Sequence, residues 1–234
     1  MNSLLALVAL APVFQGPNVN QYTQSIKDIS FSMDTRTGNQ TELRKINGDF
    51  GDAYRFDHVA FKIKDSFQIR GETKIEDTQV LMIMNEGIRV FRAPRQGINI
   101  KKDVREHPGQ RQTIFEFGLV TPQLFESFMS AKFVRNDRAT GDAVFDLWFN
   151  AKLGDKTRYR VWIDPEKRFT TKKEWYGQDG NLKATFYFTQ AEKVGPFWVP
   201  TLATVRNAEG NVAGVLAYSR FKINAGLDDS IFKY

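Results

Sequence analysis

The chain contains no cysteine. Disulfides, thiolate metal sites, a cysteine nucleophile and a lipid-modified N-terminal cysteine are excluded together. The redox compartment stays open, because a cysteine-free chain is stable in either. Histidine is nearly as scarce: His58 and His107 are the only two, with no His-x-His or His-Glu-x-x-His spacing to bring imidazoles onto one metal ion. There is no Gly-x-Ser-x-Gly, no glycine-rich phosphate loop and no dinucleotide fingerprint. The acidic pairs Glu76-Asp77 and Asp228-Asp229 are adjacent in sequence, and adjacent strand residues point to opposite faces, so neither pair converges on one substrate. No block of Lys and Arg occurs: 33 basic and 27 acidic residues are interspersed, for a net charge of +6. Such a surface is ordinary for a soluble protein and gives no nucleic-acid footprint. No apolar run reaches the roughly 20 residues of a membrane-spanning helix. These absences point away from hydrolytic or redox catalysis, and they imply no metal and no cofactor.

What the chain does have is apolar and aromatic residues. Hydrophobic residues make up 41% of the 234, and 20 residues are Phe, a composition that suits pleated, half-buried sheet surfaces. Residues 1–16 carry no charge, and Leu4 to Phe14 is almost wholly apolar. That length fits the h-region of an export signal, and Ala9-Leu10-Ala11 has the small-x-small form of a cleavage site. The expectation is a signal peptide over 1–16, a single domain over 17–234 and an exported, periplasmic location. A buried N-terminal strand is the alternative.

The rest of the chain reads as short elements. Val19, Tyr22 and Ile26 share one helical face over Asn18 to Asp28. Alternation begins at Ile29, and Thr37-Gly38-Asn39-Gln40 reads as a turn. From Thr41 to Phe91 the pattern suggests more strands, with a bulge near Val59-Ala60 to reconcile the parity of Tyr54 and Phe56 with that of Phe61 and Ile63. Ala93 to Thr113 reads as a long polar loop with a short strand inside it. Thr121, Pro122 and Val120 look like the cap, first turn and staple of a helix from about Pro122 to Ala131. Its stripe would be Leu124, Phe125, Phe128 and Met129. After Ala143, hairpins recur every 12 to 15 residues. The fold expected is mostly β, a strongly curved antiparallel sheet of nine to eleven strands with that helix on its concave side.

Large apolar groups sit on both parities of several strands. Trp148 opposes Phe145, Leu147 and Phe149; Trp162 opposes Val161 and Ile163. A sheet curved around an apolar cavity, with a second layer outside, would account for this. The alternative is an ordinary core with scattered exposed Trp. The cavity reading selects Phe145, Leu147, Phe149, Phe186 and Phe188 on the strands, closed by Leu124, Phe125, Phe128 and Met129.

Two segments carry a family likeness. Val161-Trp162-Ile163-Asp164-Pro165, followed by the strand to Trp175 and Gly180, resembles the central hairpin of the LolA-like lipoprotein-localisation superfamily. The stretch from Phe221-Lys222-Ile223-Asn224 to Phe232 resembles its closing segment, and the order of parts agrees over most of residues 18–234. The resemblance implies an unclosed β-barrel with a helical lid over an apolar cavity. It implies a non-enzymatic periplasmic carrier of lipid or lipoprotein acyl chains, or else a lipid-sensing domain that signals to a membrane partner. The partners implied are lipids, a membrane-bound donor or acceptor and no nucleic acid, with the carrier a monomer. In the family an Arg holds the lid; Arg44, Arg55 and Arg70 lie in the corresponding half, and no motif selects one of them.

Overall fold

A computed structural model describes residues 16–234; the expected signal segment lies almost wholly outside them. The described residues form thirteen strands in one antiparallel sheet. In chain order these are β1 (Asp28–Gly38), β2 (His58–Lys64), β3 (Gln68–Ile75), β4 (Thr78–Asn85), β5 (Ile88–Ala93), β6 (Ile98–Asp103), β7 (Met129–Asn136), β8 (Ala143–Phe149), β9 (Arg158–Ile163), β10 (Thr170–Tyr176), β11 (Leu182–Val194), β12 (Phe197–Asn207) and β13 (Val212–Ile223). Each strand pairs with its sequence neighbour, except that β1 meets β13 at the middle. β6 and β7 are the two free edges, so the barrel is not closed.

This topology dictates the interior. The chain leaves the sheet at one edge and must re-enter at the other, so residues 104–128 cross the concave face. The crossing consists of single turns, at Pro108–Gln110, Ile114–Phe117 and Gln123–Glu126, the last a one-turn helix (α3). Register shifts interrupt the pairing at Ser30/Ser32, Thr35/Thr37, Phe133/Arg135, Thr170/Lys172, Trp175/Tyr176 and Val205/Arg206. Such bulges bend a strand and increase its twist.

Several sequence expectations change here. The strand count exceeds nine to eleven because the polar loop and the region before it carry a full five-strand meander. The segment after Asn18 makes one turn, Val19–Tyr22, and then runs extended. Gln24 holds it there by bridging to the Trp198 backbone, accepting from its N–H at 2.9 Å and donating to its carbonyl at 2.8 Å. Residues 40–53 are helical, α1 (Gln40–Ile46) and α2 (Gly48–Ala53), where strands were expected. Asn39 caps the first, accepting from the amides of Thr41 and Glu42, and Asn47 caps the second through Phe50. Tyr54 and Phe56 therefore lie outside β2, and β2 pairs with β1 without any shift at Val59-Ala60. The helix expected over Pro122 to Ala131 stops at Glu126. Phe128 gives its carbonyl to the Asn150 amide, and Met129 enters the β7–β8 ladder opposite Phe149. Sheet pairing overrides the local helical signal.

Among the described residues, no second layer of the kind the opposed Trp residues suggested covers the convex face. Long cationic side chains cover the rings instead. Lys172 Nζ lies 4.1 Å from the Trp162 ring centre, Arg158 lies 3.8 Å over Tyr176, and Lys167 and Lys193 flank Trp198. Their alkyl stems shield the apolar surface while the charges stay in water.

Candidate functional site

The concave face is a continuous apolar surface built row by row from strand register. One row runs Phe145, Val161, Lys173, Phe186, Val205, Gly214 across β8 to β13. At its end Tyr54 lies flat on Gly214: a Cβ there would stand 2.2 Å from the ring, so only glycine fits. Phe186 and Phe188 stack on the next part of the face, and Phe145 meets Tyr22 and Phe133 edge-on.

The crossing segment fills this face with two aromatic residues. Phe115 packs on Tyr159 at 5.3 Å. Phe117 sits 4.9 Å from both Phe31 and Phe61. Between them and α3, Gly118 takes a left-handed φ of 77° and lies on the Phe188 ring, with its carbonyl accepting from the Thr170 amide at 2.8 Å. The segment is further tied by the Ser66 and Thr121 hydroxyls, 2.6 Å apart, and by the Ile114 amide on the Ser66 carbonyl.

One charged group is embedded here. Lys173 is 1% exposed. Its ammonium stands 3.1 Å from the Glu116 carboxylate and 4.5 Å from the ring centres of Phe115 and Phe186. Glu116 reaches partly into solvent, at 37% side-chain exposure. The pair thus links β10 of the sheet to the crossing segment. Burial raises the phenols of Tyr159 and Tyr218 well above their ordinary range, so both stay neutral.

All nine residues expected to line a cavity pack into this one core. Leu124, Phe128, Met129, Phe145, Leu147, Phe149, Phe186 and Phe188 are buried, and Phe125 is partly so. In this closed arrangement the enclosed gap between Phe115, Phe128, Phe149 and Tyr159 is only ≈ 10 Å³, about the room for one water. A larger cleft of ≈ 330 Å³ opens beside it, between the β2–β3 and β4–β5 turns and the start of β7, with Phe67, Phe128, Leu153 and Arg111 in its wall. Phe128 is common to both, standing 5.2 Å from Phe67 on one side and from Phe149 on the other. Sequence reading missed Lys173, Phe115, Phe117, Phe67 and Arg111. Lys173 left a signal: it shares parity with Phe169 and Trp175, a lysine on an apolar face. The other four lie in turns and a loop, where parity says nothing.

Arg44 and Arg55 stand near the exposed Asp52, and Arg70 bonds Glu72 and the Ile231 carbonyl. The ion pair from the sheet to the crossing segment comes instead from Lys173.

Structural comparison places this arrangement among known folds. A domain from Vibrio parahaemolyticus described as an outer membrane lipoprotein-sorting protein aligns over 92% of both chains, with a TM-score of 0.60 and 14% identity. A LolA superfamily protein from Nitrosomonas europaea aligns over 92% of this chain and 96% of its own, with a TM-score of 0.59 and 15% identity. The fold is the LolA-like fold. A DUF1329 family protein from Desulfovibrio piger shares it as well, with a TM-score of 0.58 and 13% identity over 92% and 93% of the two chains. A family model described only as an uncharacterized protein matches residues 129–234. No curated protein matches the sequence. At these identities the likeness concerns the LolA-like fold alone, and function has to be argued from the site.

Proposed function

We propose that the protein is a periplasmic carrier that binds acyl chains of lipids or lipoproteins against the concave face, without catalysing a reaction. The observation that carries this reading is the crossing segment. A continuous aromatic surface, including Phe145, Phe186 and Phe188, is covered not by another sheet but by one strand-free stretch, residues 104–128, tied down by few polar contacts. If that stretch lifts, the surface beneath suits an alkyl chain, and burying each CH2 of such a chain contributes about 0.8 kcal/mol without specific chemistry. Phe115 and Phe117 then act as stand-ins for the ligand, satisfying the apolar face when it is empty. Leu124, Phe125, Phe128 and Met129 form the flank at which the cover meets β7, and Phe149 and Leu147 continue the lining on β8. The LolA-like fold supports the reading, since a relative with this fold is described as a lipoprotein-sorting protein, and the apolar start of the chain supports export.

Native mass spectrometry of protein taken from its own compartment tests the proposal, together with titration of delipidated protein with a fluorescent fatty acid. Co-purifying lipid and saturable binding are expected. Absence of both would overturn the carrier reading.

A further inference from the structure

The crossing segment lies on the concave face much as an amphiphile would. The turn Ile114–Phe117 presents two rings, Phe115 and Phe117, with the Glu116 carboxylate between them in sequence. Phe115 packs on Tyr159, while Phe117 sits among Phe31, Phe61 and Tyr218. The carboxylate stands on Lys173, which among the described residues is the only buried cation. Lysine is almost never fully buried without a partner, because an ammonium withdrawn from water needs an opposite charge and oxygen acceptors.

Those acceptors all belong to the cover. Lys173 Nζ donates to the Glu116 carboxylate at 3.1 Å and to the Phe115 carbonyl at 3.5 Å. Among the described residues no other oxygen bonds it. Its cross-strand neighbours on the sheet are Val161 and Phe186, neither of which can accept. Glu174, the next residue, points to the opposite face and pairs there with Lys172. What remains on the sheet side is aromatic: the ring centres of Phe186, Tyr159 and Phe188 lie 4.5, 5.8 and 6.0 Å away. Ring faces attract a cation far less than a hydrogen-bonded carboxylate does.

Lifting the cover therefore strips Lys173 of both acceptors at once. A neutral alkyl chain laid in its place would seal the ammonium under hydrocarbon without a counter-charge, the costliest arrangement open to it. A ligand that brings its own anion restores the pair. Glu116 is partly exposed, so an acidic group in its position keeps its remaining oxygens in water while its chain runs inward over the rings. We infer that the ligand is an anionic amphiphile whose acidic group takes the place of the Glu116 carboxylate on Lys173, with its alkyl chain in the space that Phe115 and Phe117 fill when the face is empty. The inference rests on the carrier reading for the lifting of the cover, and it adds the class of ligand. A fatty carboxylate and an alkyl phosphate share this chemistry; a fatty alcohol lacks it.

The test is calorimetric titration of the delipidated full chain with three single-chain amphiphiles of equal chain length: a fatty acid, an alkyl phosphate and a fatty alcohol. Both acidic ligands are expected to bind roughly tenfold tighter than the alcohol, the scale of one charge-assisted contact. In Lys173→Met that preference should vanish. In Glu116→Gln the closed state loses its carboxylate, so all three ligands should bind severalfold tighter. The tighter of the two acids names the source of the anion. Equal affinity for all three in the parent protein, or an acid preference that survives Lys173→Met, would overturn the inference while leaving the carrier reading standing. No binding of any of them would overturn both. Should Lys173→Met fail to fold by circular dichroism, unchanged affinity for the acids in Glu116→Gln still contradicts the inference, because the ligand's anion would then not compete with the cover.

Discussion

Lys173 tests how a buried charge can be tolerated in an aromatic interior. Its ammonium is taken out of water and compensated by Glu116, the Phe115 carbonyl and two ring faces. Removing one partner of such a pair leaves the other buried and unpaired, whereas replacing the charge by an isostere removes the desolvation cost as well. Glu116→Gln should therefore lose about 1–2 kcal/mol, toward the low side because Glu116 is partly in solvent, while Lys173→Met should change stability by less than about 1 kcal/mol. Urea denaturation of both variants decides this. The reverse ranking would mean that the lysine stabilises the fold itself rather than through its partner. Phe128 poses a related question. It is buried at the junction of core and cleft, so Phe128→Ala should cost about 3 kcal/mol, the low end for a Phe deletion, since one edge of its void already opens to the cleft. On the convex face, burial opposes ionisation of Asp146, but Arg160 and Arg158 outweigh it, and the carboxyl sits below the usual range. A depressed folded pKa contributes stability that is fully present above the ordinary carboxylate range and is lost as pH falls through the lower folded value. Acid titration of stability should thus be shallower in Asp146→Asn than in the parent below about pH 4, and equal slopes would show that the arginines do not act on it.

At the scale of elements, legibility followed locality. The hairpins after Ala143 were readable because their turns are written in sequence: Asp164 caps the amides of Glu166 and Lys167, and Gly180 and Gly210 take the left-handed conformations that close the β10–β11 and β12–β13 turns. Alternation of apolar residues then set the facing of β8, β9 and β11. The short helices were opaque for the opposite reason. α1 and α2 have only Asn39, Asn47, Leu43 and Ile46 to announce them, and they persist because Leu43, Ile46 and Tyr54 bury against the sheet. The helix expected at Pro122 carried good local signals and lost its last five residues, three of them, Met129 to Ala131, to sheet pairing that no local window contains. The cavity residues were selected by parity, and parity does place them on the inner face; it cannot say what covers that face, since the cover comes from a segment with no period. The free edge β6 shows a further device. All six of its residues are exposed, and Ile98 and Ile100 are flanked by Lys101 and Lys102. Charged edge residues oppose strand addition. Replacing both lysines by threonine should raise the oligomer fraction in size-exclusion chromatography, and an unchanged monomer peak would contradict a guarding role.

For the whole molecule, the account turns on one asymmetry. Twelve ladder pairings run through the sheet, while the crossing segment is held to it by the Lys173–Glu116 pair, two aromatic plugs and a handful of backbone contacts. Elements with few hydrogen-bonded ties open at lower free energy than the ladder they rest on, so the cover rather than the sheet is the part that should move to admit a ligand. The absence of cysteine allows this to be tested with a single engineered tie. Ser66 and Thr121, whose hydroxyls stand 2.6 Å apart, join the β2–β3 turn to the cover. Ser66→Cys with Thr121→Cys would introduce the chain's first two thiols, and oxidation, verified by loss of free thiol, would fasten the cover shut. The measurement is binding of a fluorescent fatty acid by this double variant, oxidised and then reduced. The account predicts binding in the reduced protein, its loss on oxidation and its return with reductant. Equal binding by the locked and unlocked forms would contradict it, because the ligand would then reach its site without the crossing segment moving.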